Sequence, residues 1–228
     1  MALLQVINLH KNYGERKLLN SCSFKLQTGE IIGVFGRNGA GKSTFLKILF
    51  GTITAQEGCI KFNESRFPLR RTCWDKNTII SKGLIGYLPQ FSFLPKAVRV
   101  WDIIPNYFNG EEQNLIFTAP RMADIAKRKV NELSLGQRRY LEVLILGNLK
   151  HPFLLLDEPF SMVEPLFKEL IHEFLLSLKE KKGIIITDHY YQDVWKLSDR
   201  KLILHTGKLI PIENISDLVK HNYILGDF

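Results

Sequence analysis

The sequence predicts an α/β fold built on a mostly parallel sheet, and three observations carry that expectation. Residues 153–156 and 184–186 are short, wholly apolar runs, the composition of strands covered on both faces. Segments with helical spacing alternate with them, the clearest being opened by Pro165, with Leu166, Phe167, Leu170, Ile171, Phe174, Leu175 and Leu178 on one stripe. A glycine-rich loop joins an apolar strand to an amphipathic helix. Strand and helix in alternation give layers of helix over sheet.

Taken in order, residues 3–9, 22–26 and 31–35 are apolar or alternating and bounded by turn residues, so they read as strands. A helix over 42–50 follows the glycine-rich loop, with Phe45, Leu46, Leu49 and Phe50 on one face. Residues 60–62 and 84–88 are further short strand candidates. Between about 91 and 130 the character changes, because Pro95, Pro105 and Pro120 interrupt it and aromatic residues are frequent. That stretch reads as a small, mostly helical lobe inserted into the main fold, extended by the helical pattern of 137–149 with Leu141, Leu144, Ile145 and Leu149 apolar. The Pro165 helix is expected to stop at Gly183, acting as its C′ glycine. Residues 201–205 and 208–210, divided by Thr206-Gly207, predict a terminal hairpin.

The bulk numbers bound the function. A chain of 228 residues is expected to form one domain, residues 1–228. Its longest apolar runs reach about five residues, against the roughly 20 that a spanning helix needs, and its start lacks the basic and apolar regions of a signal peptide. A cytoplasmic chain is expected. The formal charge of +8 is spread widely, and only Arg66 with Arg70-Arg71, and Lys127-Arg128-Lys129, form tight groups. Without a reading element, that charge predicts a solvated basic surface and no specific nucleic-acid partner. The three cysteines, Cys22, Cys59 and Cys73, lack metal-site spacing and read as reduced thiols.

The strongest chemical signal is Gly36-Arg37-Asn38-Gly39-Ala40-Gly41-Lys42-Ser43-Thr44, a G-x-x-x-x-G-K-[ST] loop between strand and helix. Its glycines let successive backbone N–H groups face phosphate oxygens at a helix start. Lys42 reaches the β- and γ-phosphates, and the Ser43 hydroxyl suits Mg²⁺. The run Phe153-Leu154-Leu155-Leu156-Asp157-Glu158 is a buried strand that delivers two carboxylates at its end. Asp157 is placed to support Mg²⁺ and Glu158 to act as general base on a water. The alternative is a pair of helix N-terminal acids, since Pro159 follows.

Together with Leu133-Ser134-Leu135-Gly136-Gln137-Arg138-Arg139 just before that strand, these motifs resemble the ATP-binding cassette (ABC) ATPase family over nearly the whole chain. The resemblance implies a phosphate-loop NTPase core with an N-terminal antiparallel β subdomain and an inserted helical subdomain. It implies ATP and Mg²⁺ as cofactors and a head-to-tail dimer of this chain with itself or a paralogous cassette. Ser134, Gly136 and Gln137 would then meet the nucleotide held by the opposite subunit, although a serine at a helix start is by itself an ordinary N-cap. Four further positions match in order. Tyr13 resembles the aromatic that stacks on adenine, or else a strand-end core tyrosine. Gln90 resembles the glutamine that senses Mg²⁺ and water. Ser161-Met162-Val163-Glu164 occupies the interface loop, and His189 resembles the switch histidine at the γ-phosphate.

Along the phosphate loop the resemblance gives nucleotide contacts to Gly36, Asn38, Gly39, Ala40, Gly41, Lys42, Ser43 and Thr44. It gives Mg²⁺ to Ser43, Gln90 and Asp157, and catalysis to Glu158, His189, Lys42 and Gln90. Two positions depart from the family pattern, Leu135 for glycine and Glu164 for aspartate, and both bear on closure of the dimer. A transport role requires a separate integral membrane permease, with the chain peripheral at the cytoplasmic face. The aromatic residues Phe91, Phe93, Trp101, Tyr107 and Phe108 offer a docking surface for it, or else the core of the small lobe. A soluble ABC ATPase without a transport role is the alternative.

Overall fold

A computed structural model describes residues 1–69 and 79–224. Arg70, Arg71 and Cys73, singled out above, lie outside the described residues.

Two sheets meet across the body of the protein. Strands β1 (Leu3–Tyr13), β2 (Arg16–Gln27), β4 (Glu57–Phe62) and β5 (Ser65–Pro68) form an antiparallel sheet in the order β2-β1-β4-β5. The second sheet holds β3 (Ile31–Phe35), β6 (Ile85–Leu88), β7 (Phe153–Asp157), β8 (Gly183–Thr187), β9 (Arg200–His205) and β10 (Lys208–Ile212) in the order β10-β9-β3-β8-β7-β6. All its pairings are parallel except the β9–β10 hairpin, where Thr206 and Gly207 both take positive φ.

The apolar runs are buried on both faces, and alternation sorts them into two cores. Ile31, Phe35, Leu154, Leu156, Ile184 and Ile186 face α5 (Leu135–Asn148), α6 (Pro165–Lys179), α7 (Tyr191–Leu197) and the inserted lobe. Ile32, Val34, Phe153, Leu155 and Ile185 face α1 (Lys42–Phe50) and the antiparallel sheet. Residues 91–130 hold three short helices, α2 (Val100–Ile103), α3 (Glu111–Phe117) and α4 (Met122–Ile125), which pack into the first core through Ile103, Ile116 and Ile125. A last helix, α8 (Ile215–Lys220), closes the described chain.

Three expectations need correction. Gly183 does not cap α6, which ends at Lys179; it opens β8, where an added Cβ would stand 2.7 Å from the Gln27 carbonyl oxygen and 2.8 Å from the Phe153 ring. The glycine is required there by close packing between the two sheets. Leu166 is not on the buried stripe of α6 but is exposed, leaving Phe167, Ile171, Leu175 and Leu178 as its fully buried residues. Phe108 is buried in the lobe's core rather than on its surface, while Phe91 (81% exposed), Phe93, Trp101 and Tyr107 are exposed.

Gly183→Ala is therefore expected to lower stability by about 1–3 kcal/mol, the usual cost of overpacking. Thermal or denaturant unfolding checks it, and an unchanged midpoint contradicts this packing.

Candidate active site

Four parallel strands end on one edge of the second sheet, and each delivers one part of the site. The phosphate loop leaves β3, Gln90 follows β6, Asp157 ends β7 with Glu158 just past it, and His189 follows β8. This is the carboxyl edge, where open α/β sheets place their ligands.

The phosphate loop depends on glycines at two crowded points. Gly36, at φ 150°, comes so close to Leu204 that a Cβ would stand 2.8 Å from its carbonyl oxygen. Gly41, at φ 108°, is the N-cap of α1 and lies against Leu18. The Ala40 N–H donates to the Arg37 carbonyl at 3.0 Å, which tightens the turn. Inside the loop the buried Lys42 ammonium donates to the Gly36 carbonyl and, at 3.4 Å, to that of Arg37. Burial pushes its pKa down, and the carboxylates of Glu158, Asp157 and Asp188 oppose that shift.

The two acids are held differently. Asp157 Oδ1 accepts from the Ser43 hydroxyl at 3.1 Å and the Thr187 hydroxyl at 2.9 Å, and Oδ2 accepts from the Tyr87 hydroxyl at 3.1 Å. Burial first, and Asp157 second, push the Tyr87 phenol far up, so it stays a donor. Glu158 receives Gln90 Nε2 on Oε2 at 3.0 Å and faces His189 Nε2 across 2.8 Å from Oε1. Its backbone sits at φ 57°, a left-handed conformation that costs a residue with a side chain of order 1–2 kcal/mol. The Glu158 N–H still donates to the Thr187 carbonyl at 2.7 Å, so the chain turns immediately past the last ladder bond.

An open groove of about 400 Å³ runs beside these groups, lined among others by Tyr13, Asn38, Gly39, Gly41, Lys42, Ser43, Thr44, Glu158 and His189. The half-exposed Tyr13 ring stands at the end of β1 with the Lys11 ammonium 4.9 Å from its centroid. Backbone turns, a cation and a helix start suit the phosphates of a nucleotide. Ser43, Asp157 and Gln90, linked to one another or to Glu158 by hydrogen bonds, form a set of oxygen donors of the kind a hard divalent cation takes.

Gly36, Ala40, Gln90 and Asp157 do not line the groove themselves but belong to the same loop or bond to its lining residues, whereas three other predicted residues do neither. Ser134, Gly136 and Gln137 do not line this groove; they form the start of α5. Ser134 Oγ accepts from the Gln137 N–H at 3.2 Å, and Gln137 Oε1 accepts from the Ser134 N–H at 3.0 Å and from Arg128 Nη1 at 3.2 Å. The Gln137 side chain is thus turned back into its own capping box. Leu135 is exposed, and the Glu164 carboxylate is packed against Gly136.

Sequence reasoning missed the groups that hold the acids in place. Arg139 is buried, donates from Nη1 to the Pro89 carbonyl at 2.7 Å, and donates from Nη2 to the carbonyls of Asp157 and, at 3.0 Å, Glu158. It pairs with Glu142 at 3.3 Å, and burial pushes its pKa down. Asp188 accepts from the Phe160 N–H at 2.7 Å, the Ser161 hydroxyl at 3.0 Å and the Tyr190 N–H at 3.0 Å, which ties the 160–161 turn to the loop carrying His189. Burial pushes the Asp188 carboxyl up, and these hydrogen bonds hold it back. Tyr87, Thr187, Asp188 and Arg139 all sit within or beside the recognised motifs, yet each also bonds to a group far away in sequence.

Comparison with known proteins agrees with this geometry. Residues 19–161 match a family model described as ABC transporter. An uncharacterized ABC transporter ATP-binding protein of Methanocaldococcus jannaschii is 30% identical over 95% of this chain and 79% of its own length. The lipopolysaccharide export system ATP-binding protein LptB of Acidithiobacillus ferridurans is 29% identical over 99% of this chain and 97% of its own. The crystal structure of a nucleotide-free ATP-binding cassette from an ABC transporter matches the fold with a TM-score of 0.80, at 20% identity, over 99% of this chain and 96% of that one. With its phosphate loop, paired acids and carboxyl-edge groove, the chain belongs to the ABC transporter family as an ATP-binding subunit.

Proposed function

We propose that this chain hydrolyses Mg²⁺-ATP as one half of a two-chain sandwich and so drives a separate membrane permease. The observation that carries this reading is the Glu158 carboxylate, held between Gln90 and His189 at the rim of the groove. A carboxylate fixed by two donors on opposite sides is oriented before substrate arrives, as a general base must be.

The residues divide the work. Tyr13 stacks on the base, and the N–H groups from Gly36 to Thr44 receive the phosphates, with Asn38, Gly39, Ala40 and Gly41 forming the cradle. Lys42 exchanges its carbonyl partners for β- and γ-phosphate oxygens, which restores a full charge partner to a buried ammonium. Ser43, with Asp157 and Gln90 behind it, would hold Mg²⁺, which would supply charge neutralisation to the phosphates. Glu158 takes the proton of the attacking water, while His189 moves from Glu158 Oε1 to the γ-phosphate and leaves the base free.

The opposite subunit supplies Ser134, Gly136 and Gln137. Support comes from their place at the start of a 14-residue helix, outside the groove of their own chain. In that setting Gln137 acts by holding Ser134 in its cap, since its side-chain oxygen is already engaged. Among the described residues no helix is long and apolar enough to cross a membrane, and this reading assigns the spanning part to a separate permease. The exposed Phe91, Phe93, Trp101 and Tyr107 give it an apolar contact at the cytoplasmic face. The cassette then closes with ATP and reopens after hydrolysis, a two-state element biased by its ligand.

Glu158→Gln is expected to bind ATP and to hydrolyse it at least about a hundredfold more slowly. Steady-state turnover near wild type contradicts the base assignment. In the same variant light scattering is expected to show an ATP-held dimer, and a strictly monomeric species contradicts the sandwich. Tyr13→Ala is expected to weaken ATP binding by about 1–3 kcal/mol, the range for one base stacked on an aromatic ring. Calorimetry on the Glu158→Gln background checks it, and unchanged affinity removes the stacking role.

A further inference from the structure

A second cavity, of about 260 Å³, adjoins the phosphate loop, whose residues Gly36 to Ala40 form one wall; Arg37, Asn38 and Gly39 of these also line the nucleotide groove. None of Lys42, Ser43, Glu158 or His189 lines it. Its walls come from three other places: Arg16 at the start of β2, the end of β9 with its turn through His205 and Thr206, and His221 just past α8.

The chemistry of this wall is one-sided. It carries two guanidinium groups and two imidazoles, and no carboxylate is among its lining residues. Arg16 spends one donor on the Gly39 carbonyl at 2.8 Å, and among the described residues neither Arg16 nor Arg37 makes an ion pair. The His205 and His221 rings stand with centroids 5.0 Å apart and planes tilted by 52°, with no acid shared between them. The nearest acid on α8, Asp217, is taken up by Lys220 at 2.9 Å and by the N–H groups of Glu213 and Asn214. Two fixed positive charges and spare N–H donors around a concave space favour an anion and repel a metal cation. Guanidinium forks match the spacing of phosphate oxygens.

We propose that this cavity is a second anion site, which takes a tetrahedral oxyanion of the phosphate class between Arg16, Arg37, His205 and His221. It shares the phosphate loop with the nucleotide groove but contains none of Lys42, Ser43, Glu158 and His189, so its anion is distinct from the nucleotide's terminal phosphate.

Inorganic phosphate is the probe, and the full chain saturated with Mg²⁺ and a non-hydrolysable ATP analogue is the sample, so the nucleotide groove is filled through its γ-phosphate position. Calorimetry is expected to show saturable phosphate binding that weakens about tenfold or more in the His205→Gln/His221→Gln double variant, as the loss of two donors to a charged group implies. Affinity for the analogue equal to wild type shows that this variant is folded. Absent phosphate binding in the wild type, or equal binding in the folded double variant, overturns the site. Should the variant fail to fold, the imidazole proton resonances of His205 and His221 in the wild type decide: a saturable movement of both supports the proposal, and no movement overturns it. Phosphatidylglycerol vesicles separate the two sources of the anion. Phosphate binding without vesicle binding assigns the site to a soluble oxyanion, and binding of both extends it to lipid headgroups.

Discussion

Asp157 ends a strand that is buried along its whole length and Glu158 stands just past it, and the two are themselves 1% and 9% exposed. An unpaired carboxylate there would cost several kcal/mol, so the fold must bring donors to both. It does so from separate elements: Ser43 from α1, Tyr87 from β6, Gln90 from the loop after it, Thr187 from β8 and His189 from the loop that follows. Satisfying two acids therefore fixes where four strand ends stand relative to one another. The same bonds that make the acids tolerable are the ones that aim them.

Arg139 extends that constraint to the helical side. Its guanidinium bonds to the Pro89, Asp157 and Glu158 carbonyls together, while its partner Glu142 receives the Phe93 N–H at 3.3 Å. The start of α5, the acid strand and the first residues of the inserted lobe thus share one buried ion pair. On the other side Asp188 joins the 160–161 turn to the His189 loop, and the Tyr223 hydroxyl reaches the Asp188 carbonyl at 3.3 Å. The segments that carry Gln90 and His189 are thus bonded to the lobe and to the 160–161 turn.

Much of this was legible in the sequence because the signal was local. Ile31–Phe35 and Lys42–Phe50 fall on the residues that apolar run and helical spacing mark, and the phosphate loop lies between them. β1 and β2 run on well past their apolar centres, to Tyr13 and back to Arg16. There the ladder pairs Lys11 with the buried Leu19 and Asn12 with Lys17, so backbone bonds carry the two strands beyond the alternating pattern that marks their centres. Gly183 looked like a helix stop, and what decides its role is Gln27, some 150 residues away. Phe108 and Tyr107 are neighbours of like composition, and only packing places one inside and the other outside. The phosphate loop itself was legible because its pattern is set by spacing along one segment between strand and helix. Arg139, Tyr87 and Asp188 were not, because each acts on groups that the chain brings together only on folding.

The most direct test of this account is the structure of the Mg²⁺-ATP complex of the full chain, read for what contacts the γ-phosphate. Lys42 and His189 are expected on it from one copy and the Ser134 end of α5 from another, with Glu158 released from His189 and facing a water. A nucleotide bound in that groove with its γ-phosphate open to solvent, and Glu158 still paired to His189, would contradict it.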